Sequence, residues 1–240
     1  MNTNIPPLSL MIRLLTACFT SLVLVGSASA TSPLCKPYVV LQDQDYALCA
    51  GAPSWNFDSV TYAKCQKMKG DSISLPQSYP VPSKNPTGNI ESVNQIGLQS
   101  GTFVVSTYSP PQGATSPSGN LALYTCNKSG SYAQCDGGLC FKNTSGTTFP
   151  GLGEVGQNEI VCSCPIATSS KSYQVYGPYP CPTTRAEYDS ICGSGNTSSK
   201  NGHVLYIGAP AGGSRLFANC LSEFEGTEQV KFNVCKRPNR

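Results

Sequence analysis

The run Cys126-Asn-Lys-Ser-Gly-Ser-Tyr-Ala-Gln-Cys135-Asp-Gly-Gly-Leu-Cys140-Phe141, followed by TFPGLGEVGQNEIVCSC from Thr148 to Cys164, carries five of the chain's thirteen cysteines. An earlier stretch, Cys35 to Cys65, reads as a plainer copy of it. Cys126 and Cys140 stand fourteen residues apart, as do Cys35 and Cys49. Both second cysteines follow a leucine, in DYALCAGA and CDGGLCF, and both stretches pass through a Ser/Asn/Gly segment into a β-type run, VTYAKC or EIVCSC. An insertion such as FPGLGEV explains the eight extra residues of the later interval. GTFVVSTYSPPQG from Gly101 and GHVLYIGAPAGG from Gly202 continue the correspondence, so the expectation is an internal duplication of about one hundred residues. The alternative is that turn-rich, cysteine-rich sequence matches itself by accident.

Residues 1–30 read as a secretory signal peptide: Met11-Ile12-Arg13 supplies the charge, LLTACFTSLVLVG the apolar core, and Ala28-Ser29-Ala30 the cleavage site. Met11 serves as a start as well as Met1 does. A lipoprotein reading, with cleavage before Cys18, would leave most of the apolar run on the mature protein. No later segment has the ~20 apolar residues of a membrane span. The expected location is secreted or periplasmic.

Twelve cysteines follow the signal: Cys35, Cys49, Cys65, Cys126, Cys135, Cys140, Cys162, Cys164, Cys181, Cys192, Cys220 and Cys235. An even number in an exported chain points to disulfides. The chain needs them, because 23 glycines and 19 prolines in 240 residues favour turns over a large core. Three cysteines lie in the first copy and nine beyond it, so full oxidation requires at least one bridge between the two. Local bridges expected from spacing are Cys49–Cys65, Cys140–Cys164 and Cys181–Cys192. The formal charge is +3, or +2 once Arg13 leaves with the signal, and no nucleic-acid partner is implied. Lys64, Lys67, Lys69, Lys236, Arg237 and Arg240 are expected as solvated surface.

The fold class expected is mainly β, antiparallel and disulfide-rich, with one or two short helices. A first β-rich copy spans 31–120 and a cysteine-denser second copy 121–240, disulfide-linked to the first. KPYVVL and YALCAGA are strands separated by the polar break Gln42–Asp45, and FVVSTY, LALYTC and HVLYIG are further strands. Leu75 to Gly101 is irregular apart from a helical turn in NIESVNQI, and SPPQGATSPSGN (Ser109–Asn120) connects the copies. One helix starts at Thr184, whose spacing to Glu187 is that of a capping box. A second, SRLFANCLSEF, has Ser214 as N-cap and Leu216, Phe217, Cys220 and Leu221 on one face.

LALYTCNKSGSYAQCDGGLCF, with FPG, EIVCSCPI, GPYPC and LYIGAPAG after it, resembles a group of cysteine-rich secreted bacterial proteins. The resemblance covers most of the mature chain and implies export and disulfide bonding. It brings no activity and no catalytic residue.

Candidate chemistry is sparse. Gly70-Asp71-Ser72-Ile73-Ser74 resembles the nucleophile block of GDSL-type esterases, but those enzymes keep an Asp-x-x-His block near the C-terminus. Here the single histidine, His203, follows Ser199-Lys200-Asn201-Gly202. The competing reading of GDSIS is a β-turn whose Asp71 and Ser72 bond local backbone. One histidine also removes multi-histidine metal sites. Cys162-Ser-Cys164 lacks the spacer of a redox pair and is expected in two separate bridges. Asp43 and Asp45 can share a strand face and hold Ca²⁺, against an ordinary turn; no metal or other cofactor is expected. Tyr173, Tyr176 and Tyr179 recur at the period of an extended polyproline-like edge and, with Trp55, are the candidate binding residues. The sequons at Asn127, Asn143 and Asn196 matter only in a glycosylating host.

The function expected is a non-catalytic exported protein that binds an extracellular or cell-surface protein or carbohydrate, or builds an extracellular assembly. The alternatives are a secreted serine hydrolase using Ser72 and a protease inhibitor presenting a loop near Pro110-Pro111.

Overall fold

The computed structural model describes residues 35, 39–57, 60–74, 103–107, 121–141, 144–197, 199–226 and 232–239. The expected signal peptide, NIESVNQI, the connector 109–120 with its Pro110-Pro111 loop, and the Asn143 sequon lie outside them. Strand β1 (Val39–Leu48) runs antiparallel to the fifteen-residue β3 (Val60–Ser74), with Leu48 opposite Gln66. Its register shifts between Leu41 and Gln44. The polar run expected to separate two strands is therefore an irregularity inside one, since a bulge absorbs extra residues and lets the ladder resume. After a turn at Ala50-Gly51 the chain continues along β3 as β2 (Ser54–Phe57), Trp55 opposite Tyr62. GDSIS is not a turn; it is the end of β3.

The remaining elements are β4 (Phe103–Thr107), β5 (Leu121–Cys126), β6 (Gly130–Ala133), β7 (Leu139–Phe141), β8 (Thr148–Phe149), β9 (Gly153–Glu154), β10 (Glu159–Cys164), β11 (Ile166–Ser169), β12 (Tyr173–Pro178), helix α1 (Arg185–Gly193), β13 (His203–Val204), β14 (Gly208–Pro210), helix α2 (Gly213–Glu225) and β15 (Val234–Cys235). The protein is mainly β, as its composition and strand patterns lead one to expect. The main sheet has the order β1-β4-β7-β10-β3-β2-β13, and β1 also pairs with β3. That last pairing closes β1, β4, β7, β10 and β3 into a ring, antiparallel except between β1 and β4. Closure gives each of these five strands a hydrogen-bonded neighbour on both sides. β2 and β13 extend the sheet away from the ring along the first half of β3.

A second sheet, β14-β12-β5-β15, lies against the ring. Successive side chains of a strand point to opposite faces, and here both faces are buried. Leu123, Tyr176 and Ala209 join Tyr46, Leu48, Val104 and Ile160 in the larger core. Ala122, Tyr124, Tyr173 and Val175 meet Tyr188 and Ile191 of α1 on the other side. Helix α1 starts at the expected capping box, Thr184 accepting from the Glu187 amide while the Glu187 carboxylate accepts from the Thr184 amide. Helix α2 is capped by Gly212, at φ 81°, rather than Ser214. The Gly212 amide donates to Gln174 Oε1 (3.0 Å), so β12 fixes the helix start and Ser214 becomes a buried helical residue.

All twelve expected cysteines are paired: Cys35–Cys220, Cys49–Cys65, Cys126–Cys192, Cys135–Cys164, Cys140–Cys162 and Cys181–Cys235. Cys49–Cys65 is the bridge expected from spacing, and Cys35–Cys220 is the link parity required. The other two local expectations are corrected by register. β10 sets Cys162 directly opposite Cys140 on β7, with Cα atoms 3.8 Å apart, which sends Cys164 to Cys135. Cys192, on the buried side of α1, reaches Cys126 of β5 and leaves Cys181 to Cys235. In the main sheet β7 and β10 lie between β4 and β3, so segments before and after residue 120 are interleaved, and a duplication is not shown.

Candidate functional site

The residues singled out for chemistry are dispersed. Ser72 lies on β3, 2% exposed, opposite Leu41. His203 pairs with Asn56, which pairs with Thr61 at the other end of β3. Thirty-odd ångströms of strand, roughly 36 Å for eleven extended residues, separate that point from Ser72. The two cannot share a proton. Cys162 and Cys164 belong to different bridges, as expected. Cys49, Cys65 and Cys162 bring their sulfurs within 4.8 Å of one another, but each is held in a disulfide and offers no thiolate to a metal. Asp45 is an exposed residue of β1.

The tyrosine strip is not one edge. Tyr173 and Tyr176 sit three apart on a strand and therefore point to opposite faces, 1% and 3% exposed. Tyr173 stacks on Tyr132 and donates to the Cys192 carbonyl, whereas Tyr176 is in the larger core. Only Tyr179, beyond the strand, is exposed, at 47%. Burial pushes the phenol of Tyr124 up to about 12, with Tyr206 and Tyr188 adding to the effect, and burial likewise raises Tyr132, Tyr173, Tyr176, Tyr188 and Tyr206. These are packing groups. The hydrogen bond from Arg237 holds the Asp189 carboxyl low and ties the C-terminal tail to α1, so Arg237 is not simply solvated.

Trp55 is also a packing group, and it locates a cleft built from the extension of the sheet. Its indole is wedged between Gly151 and Gly202, at φ 72° and 79°; a Cβ at either position would overlap the ring. The indole N–H donates to the Asn201 carbonyl (3.3 Å). On one side Gly151 belongs to the turn between β8 and β9, held by Lys64 Nζ on the Glu154 carbonyl (3.1 Å), Lys67 Nζ on the Gln157 carbonyl (3.1 Å) and Phe149 against Tyr62. Lys64 and Lys67, expected as solvated surface, thus secure the loop around β8 and β9. On the other side Asn201 and Gly202 lead into β13.

Between β2, β13 and the turn that follows α1 lies a cleft of about 510 Å³, within the usual range for small-ligand sites. β2 contributes Asn56 and Phe57, β13 contributes His203, and Leu205 and Ile166 complete the apolar wall. Gly195, Thr197, Ser199 and Lys200 come from the turn. That turn is seated closely: Gly195 packs on the Ser131 backbone with no room for a side chain, and Cys126–Cys192 anchors the helix just before it. Asn56 is 8% exposed and accepts from Thr61 Oγ1 (3.4 Å), while Ser54 donates to the Leu205 carbonyl. His203 Nε2 is buried with no hydrogen-bond partner among the described residues. Phe57 at the rim is 48% exposed. The arrangement offers hydroxyl and amide groups, one ammonium and an exposed ring, and among the described residues no hydroxyl is hydrogen-bonded to His203 Nε2.

Of the candidate residues, His203 and Trp55 are brought to this cleft, Trp55 as its support. Asn56, Phe57, Thr197, Ser199 and Lys200 were missed. The available signal was Phe57 itself, an aromatic at the end of a strand whose other large residue, Trp55, is turned to the same face. No protein-family model, curated protein or solved structure matches this chain.

Proposed function

We propose that the protein is an exported, non-catalytic binding protein whose ligand site is the cleft formed by Asn56, Phe57, His203, Gly195, Thr197, Ser199 and Lys200. The observation that carries this reading is the cleft's composition on a cross-linked frame: Asn56, His203, Thr197, Ser199 and Lys200 line one cleft with Phe57 at its border, while Ser72 lies toward the end of β3 away from the β2–β13 pair that carries His203. Six disulfides favour an oxidising compartment, which supports export. No helix among the described residues is long and apolar enough to cross a membrane. A ligand held here is a saccharide or a protein segment outside the cytoplasm.

The test is retention of the oxidised protein on immobilised oligosaccharides and on cell-surface protein fractions, compared with Phe57→Ala and Lys200→Gln. Both positions are exposed, so the variants keep the fold, checked by intact mass and near-ultraviolet dichroism. Ligand retained by the parent and released by the variants supports the reading. Retention that neither variant changes, or labelling of folded protein by a fluorophosphonate at Ser72, would overturn it.

A further inference from the structure

We propose that this cleft takes a carboxylate-bearing saccharide, a uronate unit of a polysaccharide, with Lys200 meeting the carboxylate and Phe57 the apolar face of the sugar ring. The inference rests on the reading of the cleft as the binding site. Its charge inventory sets the sign: among the described lining residues Lys200 carries the full positive charge, and no aspartate or glutamate is present. Among the described lining residues an anion meets one cation and no carboxylate.

The neutral groups set the class. Thr197 Oγ1 donates to the Ser194 carbonyl and keeps acceptor capacity, Ser199 Oγ accepts from the Asn201 amide and keeps its proton, and the Asn56 amide keeps its N–H donors, which together complement a polyhydroxylated ring. Phe57, 48% exposed at the rim, presents an aromatic face whose negative quadrupole attracts the polarised C–H groups of a sugar's apolar side. His203 Nε2 faces no protein partner, and a buried nitrogen without one is an unsatisfied group that a bound hydroxyl can relieve after a small ring rotation.

The size of the charge favours a monoanion. A phosphate or sulfate dianion is ordinarily met by an arginine fork or by several backbone amides at a helix start, and no arginine lines this cleft among the described residues. A nucleic acid strand needs a row of cations. One ammonium matches one carboxylate. The walls are set before the ligand arrives, because the indole between Gly151 and Gly202, the seat of Gly195 on Ser131 and the Cys126–Cys192 bridge hold both sides.

Trp55 is the chain's single tryptophan and donates to Asn201, the neighbour of Lys200, so its emission reports occupancy. The oxidised protein is titrated with a galacturonate trimer and with the uncharged galactose trimer, by Trp55 emission and by calorimetry. The acidic trimer is expected to bind about tenfold or more tightly, the advantage of a charge-assisted contact. Lys200→Gln should abolish that preference, Lys200→Arg should keep it, and Phe57→Ala should weaken both trimers. Equal affinity for the two trimers, or a preference that survives Lys200→Gln, overturns the carboxylate inference. If the neutral trimer alone binds and Phe57→Ala releases it, the carboxylate is refuted while the cleft stands as a binding site. If neither trimer binds, the saccharide inference fails, and retention of a protein fraction that depends on Phe57 shows that the cleft serves a peptide instead.

Discussion

Replacing Cys35 and Cys220 together by alanine tests whether this bridge closes the fold or decorates it. The two cysteines are 185 residues apart in sequence, but other bridges shorten the path between them in the unfolded chain. Fourteen residues lead from Cys35 to Cys49, the Cys49–Cys65 bridge skips to Cys65, sixty-one lead to Cys126, the Cys126–Cys192 bridge skips to Cys192, and twenty-eight lead to Cys220. The effective loop is therefore about 103 residues, and the chain-entropy relation gives about 4.7 kcal/mol for closing it. The same relation gives about 3 kcal/mol for Cys49–Cys65, whose separation is 16 residues. Guanidinium unfolding of the variant, with its five other bridges intact by mass, should show a loss of about 4–5 kcal/mol. The denaturant slope should also rise, because the unfolded chain becomes larger. A loss below about 2 kcal/mol at unchanged slope would refute the reasoning. It would mean that the small cluster of Cys35, Ile73, Cys220 and Leu221 opens locally while the ring stays closed.

Gly202→Val forces a side chain into the Trp55 indole at a positive φ; a cost of about 1–3 kcal/mol is expected, with a shift in tryptophan emission, and unchanged emission would contradict the wedge. Thr184→Ala removes one half of the capping box and should cost about 0.5–2 kcal/mol in thermal or denaturant unfolding; Thr184→Asn should restore most of it. Alkali should unfold the protein through its buried phenols. Tyr124 keeps its proton to about 12 in the fold because of burial, and Tyr176 is raised for the same reason, against about 10 in the unfolded chain. A raised folded value means that this stabilisation is complete below pH ~10 and is lost as pH climbs from there through 12. Phenolate absorbance and near-ultraviolet dichroism should change together in that window; buried tyrosines titrating below pH 10 with the fold intact would be the contrary result.

Strand positions were legible because β-branched and aromatic residues mark FVVST, LALYTC and EIVCSC directly, and the capping box marked α1. What the sequence conceals is neighbourhood. Spacing suggested Cys140–Cys164, whereas register puts Cys162 opposite Cys140, and a shift of two residues along β10 is invisible until β7 is placed beside it. The three-residue recurrence of tyrosines suggested an exposed strip, but Tyr173 and Tyr176 occupy a strand buried on both faces, so the same spacing sends them into two cores. The cleft was hidden for a related reason. Asn56 and Phe57 are some 140 residues from Thr197 and Ser199 in sequence, and the pairing of β2 with β13 is what joins them. A strand of two residues, His203–Val204, leaves almost no periodic signal.

The placement of the cleft follows from how a turn-rich chain achieves rigidity. The ring has little hydrocarbon to bury, and much of its interior is sulfur: Cys49–Cys65 and Cys140–Cys162 lie side by side beneath Ala63, Val104 and Ile160. Covalent links that restrict the unfolded chain replace part of the apolar area that a larger core would remove from water. The extension of β2 and β13 has no such interior and would be free to splay. It is held instead by the Trp55 wedge and by the turn fastened through Cys126–Cys192. Both devices act at the walls of the cleft, so the ordering of its loops is accomplished during folding. A ligand bound there as proposed would lose little affinity to loop ordering. Loosening the wedge should therefore weaken binding more than the stability change alone implies.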